Sequence, residues 1–230
     1  MNLNKQVFTT EWTKPISNIE HKLKIALMIA QKAKDGDVIG FGSGSSAYLA
    51  VVELGKRVRE ENLKIKAVPT SHEIRYLCIS LGIPITSIDQ DRITWGFDGA
   101  DEVGPNNWLI KGRGGAMLKE KIVMASSPLT YILVDDSKFV DRLGEKYPIP
   151  VECLPAATTL VIKELEKLGA TEIKLRPAEA KDGPTITENG NFILDVRFNE
   201  VTETLERDIK SIVGVVESGL FIDYNIKIIS

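Results

Sequence analysis

The apolar positions of the chain change their spacing repeatedly, and each change predicts a new element. Helical spacing of apolar side chains predicts helices over residues 19–34, 47–60, 71–81 and 116–125, with Ser71 as the N-cap of the third. Short apolar runs between them predict strands with the sequences VIGF, KIKAV, TWGF, WLIKG and TYILVDD. Strands that alternate with helices of this length need crossover connections, so the pattern predicts an α/β fold with a mostly parallel sheet.

The pattern changes at residues 147–155, YPIPVECLP, where three prolines interrupt any regular spacing. Beyond them we predict a helix over 156–168, strands at EIKLR and NGNFILDVRF, and a helix over 201–212. The last run, GLFIDYNIKIIS, is strand-like and can return to the first sheet. We therefore predict a catalytic α/β domain of residues 1–146 and 217–230, and a smaller α+β domain of residues 147–216.

Composition excludes several classes of protein. The 230 residues carry a formal net charge of -3, which argues against nucleic-acid binding. No apolar run reaches membrane-spanning length, and residues 1–18 lack the apolar core of a signal peptide. We expect a cytoplasmic protein in which Cys78 and Cys153 are reduced, buried thiols. With two histidines and no zinc spacing, we expect no metal site.

A glycine and serine turn follows the first predicted strand in VIGFGSGSSAYLAVVEL. Backbone N–H groups at a helix N-terminus suit an anion, Gly42 and Gly44 permit close approach, and the adjacent serines add hydroxyl groups. The turn lacks the spacing of a dinucleotide fingerprint or a P-loop, which favours a single phosphate as the ligand. Taken alone, the turn fits a well-capped helix equally well.

Three carboxylates crowd the stretch FDGADEV although their mutual repulsion costs stability. Asp98 follows the strand TWGF, and Asp101 and Glu102 come after the intervening Gly99 and Ala100. Because the carboxyl ends of parallel strands line the ligand crevice of an α/β sheet, Asp98 should face the same crevice as the glycine and serine turn. The strand WLIK is expected to end there too, with Lys111 and the GRGG turn as a cation and N–H donors.

Glu120 lies in an apolar part of the helix over 116–125. Leu118, Ile122 and Ala125 form one apolar face, and Glu120 lies roughly opposite it. The helical neighbours of Glu120 are also apolar: Ala116, Met117, Val123 and Met124. Desolvation there raises the pKa of a carboxylate and suits a general base. The alternative is a solvated glutamate between two lysines, and the nearby acids, cation and anion turn favour the base.

These groups together predict proton transfer next to the carbonyl of a sugar phosphate. The base removes a C–H proton, while the cation and N–H donors stabilise the enediolate oxygen. The further acids handle hydroxyl protons and ring opening. This chemistry requires neither a metal nor a redox cofactor.

Seven segments in the same order closely resemble the type A ribose-5-phosphate isomerase family, from about residue 20 to the C-terminus. They are GFGSGSSA, VPTS, DGADEV, LIKGRGGAMLKEKI, ILVDDSK, LGEKYPIPVE and TENGNFILDV. The resemblance implies a Rossmann-like domain with a smaller α+β domain, assembled as a homodimer or homotetramer. It also implies metal-independent interconversion of D-ribose 5-phosphate and D-ribulose 5-phosphate through an enediolate, a step of the non-oxidative pentose phosphate pathway.

The resemblance also implies roles for individual residues. Glu120 would move the proton between C1 and C2, and Lys111 would polarise the carbonyl with help from the Gly112–Gly114 backbone. Asp98 and Asp101 would bind sugar hydroxyls, with Asp98 assisting ring opening, while Glu102 would be structural.

The implied substrate-binding residues are Ser43, Gly44, Ser45, Ser46, Asp98, Gly99, Ala100, Asp101, Lys111, Gly112, Arg113, Gly114, Lys138 and Lys22. The loop of Ser43 to Ser46 would chiefly hold the phosphate, and Lys138 would reach the sugar. Arg113 stands where many members have glycine, so it would either replace a backbone contact or point to solvent. Ser43 and Ser46 stand where threonine is common, which retains a hydroxyl.

Three other classes of protein share this fold class: amino-sugar phosphate isomerases, coenzyme A transferases and sugar-phosphate sensors. A sensor that does not catalyse would lose Glu120 or Lys111, and both are present. In a transferase, Glu120 would instead serve as a carboxylate nucleophile.

Overall fold

The computed structural model describes residues 12–179 and 181–230. The chain divides into two compact units, the first comprising residues up to Gly99 with Ile122–Ser137 and Asn225–Ser230, the second Ala100–Lys121 and Lys138–Tyr224. The predicted domain boundaries at residues 147 and 217 stay a prediction. The absence of a signal peptide was predicted in part from residues 1–11, which lie outside the described residues. Within the described part of the chain, no helix has the length and apolarity needed to cross a membrane.

In chain order the strands are β1 (Val38–Phe41), β2 (Lys66–Pro69), β3 (Trp95–Gly99), β4 (Glu102–Val103), β5 (Leu109–Ile110), β6 (Thr130–Leu133), β7 (Ile149–Cys153), β8 (Ala170–Leu175), β9 (Phe192–Phe198), β10 (Val215–Ser218), β11 (Leu220–Phe221) and β12 (Ile226–Ile229). The α-helices are α1 (Ile19–Lys32), α2 (Ser45–Glu60), α3 (His72–Leu81), α4 (Met117–Ala125), α5 (Thr158–Lys167) and α6 (Leu205–Lys210). Short 3-10 helices cover Asp136–Lys138 and Pro155–Ala157.

The first unit is built on a five-stranded sheet in the order β12-β6-β3-β1-β2. Every neighbouring pair in it is parallel, which confirms the predicted sheet type. All four residues of β1 are buried, as expected for an inner strand that is covered on both faces. The Phe41 and Phe97 rings pack in this core with their centroids 5.0 Å apart and their planes tilted by 46°, and helices α1, α2 and α3 supply Ile29, Leu54 and Ile74.

The second unit contains two antiparallel sheets. One has four strands in the order β10-β7-β9-β8, and the other has three in the order β11-β5-β4. Helices α5 and α6 supply Val161, Leu165 and Ile209 to a core that also contains Val151 and Leu194. This mixture of helices and antiparallel strands confirms the predicted α+β character of the later part of the chain.

The pattern placed WLIK among the strands of the mostly parallel sheet, and this placement is wrong, while the expectation that Lys111 faces the ligand crevice stays a prediction. WLIK contains β5, which pairs antiparallel with β4 and with β11. A tight turn joins β4 to β5, closed by a hydrogen bond of 2.9 Å from the Gly104 N–H to the Trp108 carbonyl. Because parallel neighbours need a crossover of about a dozen residues or more, a turn this short forces antiparallel pairing.

The proline-rich stretch 147–155 also differs from the prediction, which placed no strand there. It contains β7, a buried central strand that pairs antiparallel with β9 and β10. Prolines obscure the spacing on which strand prediction depends, yet Pro150 still accepts a hydrogen bond of 2.7 Å from the Gly219 N–H. The final run divides into two strands, and β12 returns to the first sheet beside β6, as predicted.

Two local predictions are confirmed. The Ser71 side chain caps α3 by accepting the Ile74 N–H at 3.3 Å. Cys78 and Cys153 are free and buried, and burial raises the pKa of the Cys78 thiol to about 12.

Glu102 organises the loop that precedes β7. Its fully buried carboxylate accepts N–H groups from Gly144, Lys146 and Tyr147 at 2.7, 2.7 and 2.6 Å. Three N–H donors stabilise the ionised form and replace the water that burial removes. These contacts give Glu102 the structural function that was expected of it.

We predict that Glu102→Gln lowers the free energy of unfolding by about 1–3 kcal/mol, because the amide NH₂ would face a backbone donor. Urea denaturation monitored by circular dichroism measures the change. The exposed neighbour Glu145 provides the matched control Glu145→Gln, which should leave stability within about 0.5 kcal/mol. Equal effects of the two substitutions would contradict the prediction.

Candidate active site

In the first unit, the glycine and serine turn meets Asp98 directly. β1 and β3 are parallel neighbours, with Phe41 opposite Phe97. The residues that follow these two phenylalanines, Gly42 and Asp98, therefore lie side by side. The Ser43 N–H donates to Asp98 Oδ1 at 3.2 Å, and the Gly99 N–H donates to the same oxygen at 2.7 Å. This geometry confirms that the turn and Asp98 occupy the same edge of the sheet.

Gly42 is required by this close approach. A Cβ atom there would lie 2.2 to 2.5 Å from side-chain and backbone atoms of Asp98, closer than any real contact. Without a side chain, the Gly42 N–H reaches the Phe97 carbonyl at 2.8 Å. The turn therefore continues the pairing of β1 with β3 and holds Asp98, which is almost wholly buried.

The Ser43 hydroxyl points towards two residues that were not among the predicted substrate-binding residues. It lies 2.8 Å from Thr70 Oγ1 and 2.8 Å from Ser71 Oγ, both in the VPTS segment after β2. Since β2 is parallel to β1, the position of VPTS at its carboxyl end was a signal that could have identified these two hydroxyls.

A buried lysine joins the N-terminus of α2. Lys22 Nζ lies 3.5 Å from Ser45 Oγ, 3.1 Å from Ser17 Oγ and 3.7 Å from Asp135 Oδ2. Ser45 and Ser46 form the first turn of α2, whose N–H groups carry partial positive charge. An ammonium group, hydroxyls and a helix N-terminus are suited to bind a phosphate.

In the second unit, Lys111 and Glu120 form a buried ion pair. Lys111 Nζ lies 3.3 Å from Glu120 Oε2, and the two residues are 3% and 6% exposed. Lys111 follows β5 and its N–H donates to the Gly219 carbonyl at 2.9 Å, while Glu120 lies in α4. A carboxylate and an ammonium group in this arrangement can act as a base and as its electrostatic partner.

The face of α4 expected to be apolar is not the buried one. Ile122 and Ala125 are exposed and Leu118 is half-buried. The buried residues of the helix are Met117, Glu120, Lys121, Val123 and Met124. Glu120 is therefore buried, and the alternative of a solvated surface glutamate is wrong.

The loop after Lys111 is held from both sides. Arg113 donates its N–H to Asp101 Oδ2 at 3.1 Å, so the acid and the loop predicted to bind substrate are in contact. Arg176 donates to the Gly112 and Arg113 carbonyls at 3.0 Å each, and is itself oriented by Asp195 at 2.9 and 2.5 Å. Sequence reasoning missed Arg176 because it is far from the loop along the chain.

Arg113, which departs from the family pattern, and Lys138, which was expected to reach the sugar, share a neighbour. The Arg113 guanidinium lies 4.3 Å from the centre of the Tyr147 ring, and Lys138 Nζ lies 5.9 Å from it. Arg113 is exposed, so it combines solvent contact with stacking on an aromatic face. Tyr147 is one of the residues bound by Glu102, which links that buried acid to both cations.

The remaining predicted residues have these positions. Gly99 ends β3, Ala100 follows it, Gly44 caps α2 with φ +87°, and Gly114 lies between Arg113 and Gly115 in the loop. Among the described residues, no group of three or more His, Cys, Asp or Glu side chains is arranged to hold a metal ion.

The parallel sheet with a glycine and serine turn at a helix N-terminus in the first unit, and the buried lysine–carboxylate pair in the second, place the chain among α/β proteins that carry the groups of a candidate active site. A sequence model of ribose 5-phosphate isomerase A (phosphoriboisomerase A) matches residues 66–230. The chain belongs to the ribose 5-phosphate isomerase A family.

Individual relatives agree over most of the chain. Ribose-5-phosphate isomerase A of Methanocaldococcus jannaschii is 46% identical over 208 residues, covering 90% of this chain and 92% of the relative. That of Thermococcus kodakarensis is 44% identical over 211 residues, covering 90% and 92%.

Solved structures give the same result. The structure of ribose 5-phosphate isomerase A from M. jannaschii matches with a TM-score of 0.89 and 44% identity, covering 92% of this chain and 95% of that one. A D-ribose-5-phosphate isomerase in complex with phospho-erythronic acid matches with a TM-score of 0.86 and 41% identity, covering 91% and 94%. These likenesses confirm the α/β fold class, and the chain is an isomerase of this family.

The environment of Asp135 makes the stability of the first unit depend on pH. Burial raises the pKa of Asp135, but hydrogen bonds from the Ser137 hydroxyl and N–H, with the Asn18 side chain and the Lys22 ammonium, outweigh it, so the pKa lies below its usual value. A lowered folded-state pKa stabilises the protein above the unfolded-state pKa, and this stabilisation disappears as pH falls through the folded-state pKa.

We predict that Asp135→Asn lowers the free energy of unfolding at pH 7 by on the order of 1 kcal/mol. The difference from wild type should shrink as pH falls below about 4, because the carboxyl is then protonated in the unfolded state and, at still lower pH, in the folded state as well. Urea denaturation between neutral and acidic pH measures it. The exposed neighbour gives the control Asp136→Asn, and a difference that grows towards acid would contradict the prediction.

Proposed function

We propose that this chain interconverts D-ribose 5-phosphate and D-ribulose 5-phosphate, with Glu120 as the base and Lys111 as the cation that stabilises the enediolate. The observation that carries the proposal is the ion pair of 3.3 Å between Lys111 and Glu120, both almost fully buried. The exclusion of water strengthens the field of the ammonium group at an oxygen where negative charge develops.

The proposed reaction begins when Glu120 removes the proton from C2 of the open-chain aldose. The electron pair of that C–H bond forms the C1=C2 double bond, and the carbonyl electrons move to O1, where Lys111 stabilises them. The C2 hydroxyl then passes its proton to O1, which becomes the C1 hydroxyl, and Glu120 delivers the proton taken from C2 to C1 through the electron pair of the C1=C2 bond. The C2 oxygen becomes the ketone. The same carboxylate serves both carbons, so it ends each cycle in its starting form.

The acids and the anion turn have separate proposed roles. Asp98, held by the N–H groups of Ser43 and Gly99, binds sugar hydroxyls and assists ring opening. Asp101 binds hydroxyls beside the loop that it already contacts through Arg113. The first turn of α2, with Lys22 close to Ser45, supports binding of the phosphate.

The partner, the cellular location and the assembly of the enzyme belong to the same proposal. We infer that the partner is a small-molecule sugar phosphate substrate rather than nucleic acid or a membrane, that the enzyme is cytoplasmic, and that it assembles as a homodimer or homotetramer. Its family membership supports these inferences. Light scattering after gel filtration measures the assembly.

Incubation with ribose 5-phosphate in D₂O, followed by a ketose assay and NMR, tests the function. We expect ribulose 5-phosphate to form and deuterium to appear at C1, because an enediolate mechanism exchanges protons through a carboxyl group. Chelator added to a parallel sample should leave the rate unchanged. Formation of no ketose, or a requirement for added metal, would overturn the proposal.

We predict that Glu120→Gln lowers turnover by about 10²–10⁴-fold, because loss of a general base typically costs that much. The amide keeps the size of the side chain, so substrate binding should persist. Steady-state kinetics and isothermal titration with substrate measure the two effects. Glu188→Gln, at an exposed glutamate bound to Lys119, is the control, and near wild-type turnover of the Glu120 variant would rule out its role.

We predict that Lys111 and the phosphate turn fail in different ways. Lys111→Met removes a charge that acts mainly in the transition state, so it should lower kcat more than it raises KM. Joint replacement of Ser45 and Ser46 by Ala should mainly raise KM, because the phosphate does not react and the helix N–H donors remain. Steady-state kinetics distinguishes these patterns. A Lys111 variant altered only in KM would contradict the assignment.

A further inference from the structure

We propose that Lys121 is a positioning residue that fixes the Glu120 carboxylate for proton transfer, and that it acts through Glu206 and Glu217. The proposal rests on the proposed role of Glu120 as the base. It gives a function to a buried charge cluster that neither touches the reacting groups nor is required by the proposed chemistry.

Lys121 is a lysine whose surroundings are unusual for a surface helix. It is 6% exposed, and its ammonium group lies 2.5 Å from Glu206 Oε1 and 2.9 Å from Glu217 Oε1. Its neighbour Lys119, two positions earlier in α4, is about one-third exposed and bonds Glu188 at the surface. The two lysines therefore share a helix but differ in burial and partners.

The two glutamates are themselves fixed, so the cluster is rigid. Glu206 accepts the Ile222 N–H at 2.8 Å and the Tyr224 hydroxyl at 3.3 Å. Glu217 accepts the Ser218 N–H at 2.9 Å and the Lys210 ammonium at 3.1 Å. Lys121 thus anchors α4 to β10 and α6.

An aromatic ring connects the cluster with the proposed catalytic pair. The Phe221 ring centre lies 4.7 Å from Lys121 Nζ and 5.6 Å from Lys111 Nζ. Phe221 is fully buried in β11, which pairs with β5 directly before Lys111. The same ring therefore packs against the lysine that partners Glu120 and against the lysine that follows Glu120 in the helix.

This arrangement ties the position of Glu120 to Lys121. Consecutive residues on a helix share one backbone, so an ammonium held by two anchored carboxylates restricts the rotation and translation of that turn. Burial raises the pKa of Glu217, but its contacts with Lys121, the Ser218 N–H and Lys210 outweigh burial, so the pKa lies below its usual value. Buried ion pairs often add little net stability compared with apolar residues of similar size. We therefore assign this cluster the function of holding α4 in a fixed position.

A cavity beside the cluster permits a direct test by chemical rescue. It has a volume of about 580 Å³ and is lined by Lys121, Glu206, Glu217 and Tyr224 among others. Truncation of Lys121 to alanine would enlarge it between the two carboxylates. Ethylammonium ions from solution have the charge and size to occupy that space.

The experiment compares Lys121→Met with the matched control Lys119→Met. We expect Lys121→Met to lower kcat by about 10- to 100-fold with KM little changed, because small displacements of a catalytic group have effects of this size. Lys119→Met should stay within about two-fold of wild type. Ethylammonium should restore part of the kcat of Lys121→Ala and leave that of Lys119→Met unchanged.

Three controls make the result decisive. Circular dichroism and thermal melts give the folded fraction, and a fall in kcat that only follows this fraction would overturn the proposal. If Lys121→Met does not fold, Glu206→Gln, which keeps the side-chain size, must show the same selective loss of kcat. Glu120→Gln is measured in parallel. If Glu120→Gln is inactive while Lys121→Met has normal kcat, the positioning role of Lys121 is wrong and the role of Glu120 stands. If both variants are fully active, the role of Glu120 as the base is wrong as well.

Discussion

The buried ion pair between Lys111 and Glu120 is the interaction on which the rest of the candidate site depends. Removing both charges from water has a large desolvation cost, and at 3.3 Å their attraction offsets it only if both side chains are held in place. The second unit supplies that constraint from separate elements, because Lys111 follows β5 and Glu120 lies in α4. A pair arranged for stability alone could be replaced by apolar residues of similar size, whereas proton transfer requires these two charges.

Backbone geometry explains how Lys111 is placed. A Cβ atom at Gly219 would lie 2.2 Å from the Lys111 carbonyl oxygen, so this position tolerates only glycine. The absence of a side chain lets the Lys111 N–H bond the Gly219 carbonyl, beside the pairing of β5 with β11. On the other side, Arg176 holds the carbonyls of Gly112 and Arg113. The loop that follows the lysine is therefore fixed by partners from two distant parts of the chain.

Features that depend on local spacing could be predicted from the sequence. Features that depend on contacts with residues distant in the chain could not. The parallel strands, the Ser71 cap and the contact between the glycine turn and Asp98 follow from period, turn chemistry and strand direction. β5 was misplaced because two residues carry too little pattern, and its pairing is decided by a tight turn. Arg176 and Lys121 were missed because their partners lie 64 and 96 residues away in the chain. Single-residue environments of this kind have no periodic signal.

The three acids at the end of β3 and just after it are stabilised by backbone N–H donors. Asp98 accepts N–H groups from Ser43 and Gly99, Asp101 accepts the Arg113 N–H, and Glu102 is enclosed by three further N–H donors. Each carboxylate thus faces its own set of backbone dipoles, which stabilise its charge and reduce the cost of mutual repulsion. Glu102 is enclosed completely and serves the fold, while Asp101 keeps a half-exposed position beside the loop. The short segment therefore gives each of its neighbouring acids a different set of donors, which encloses Glu102 and leaves Asp101 partly accessible for the role proposed for it.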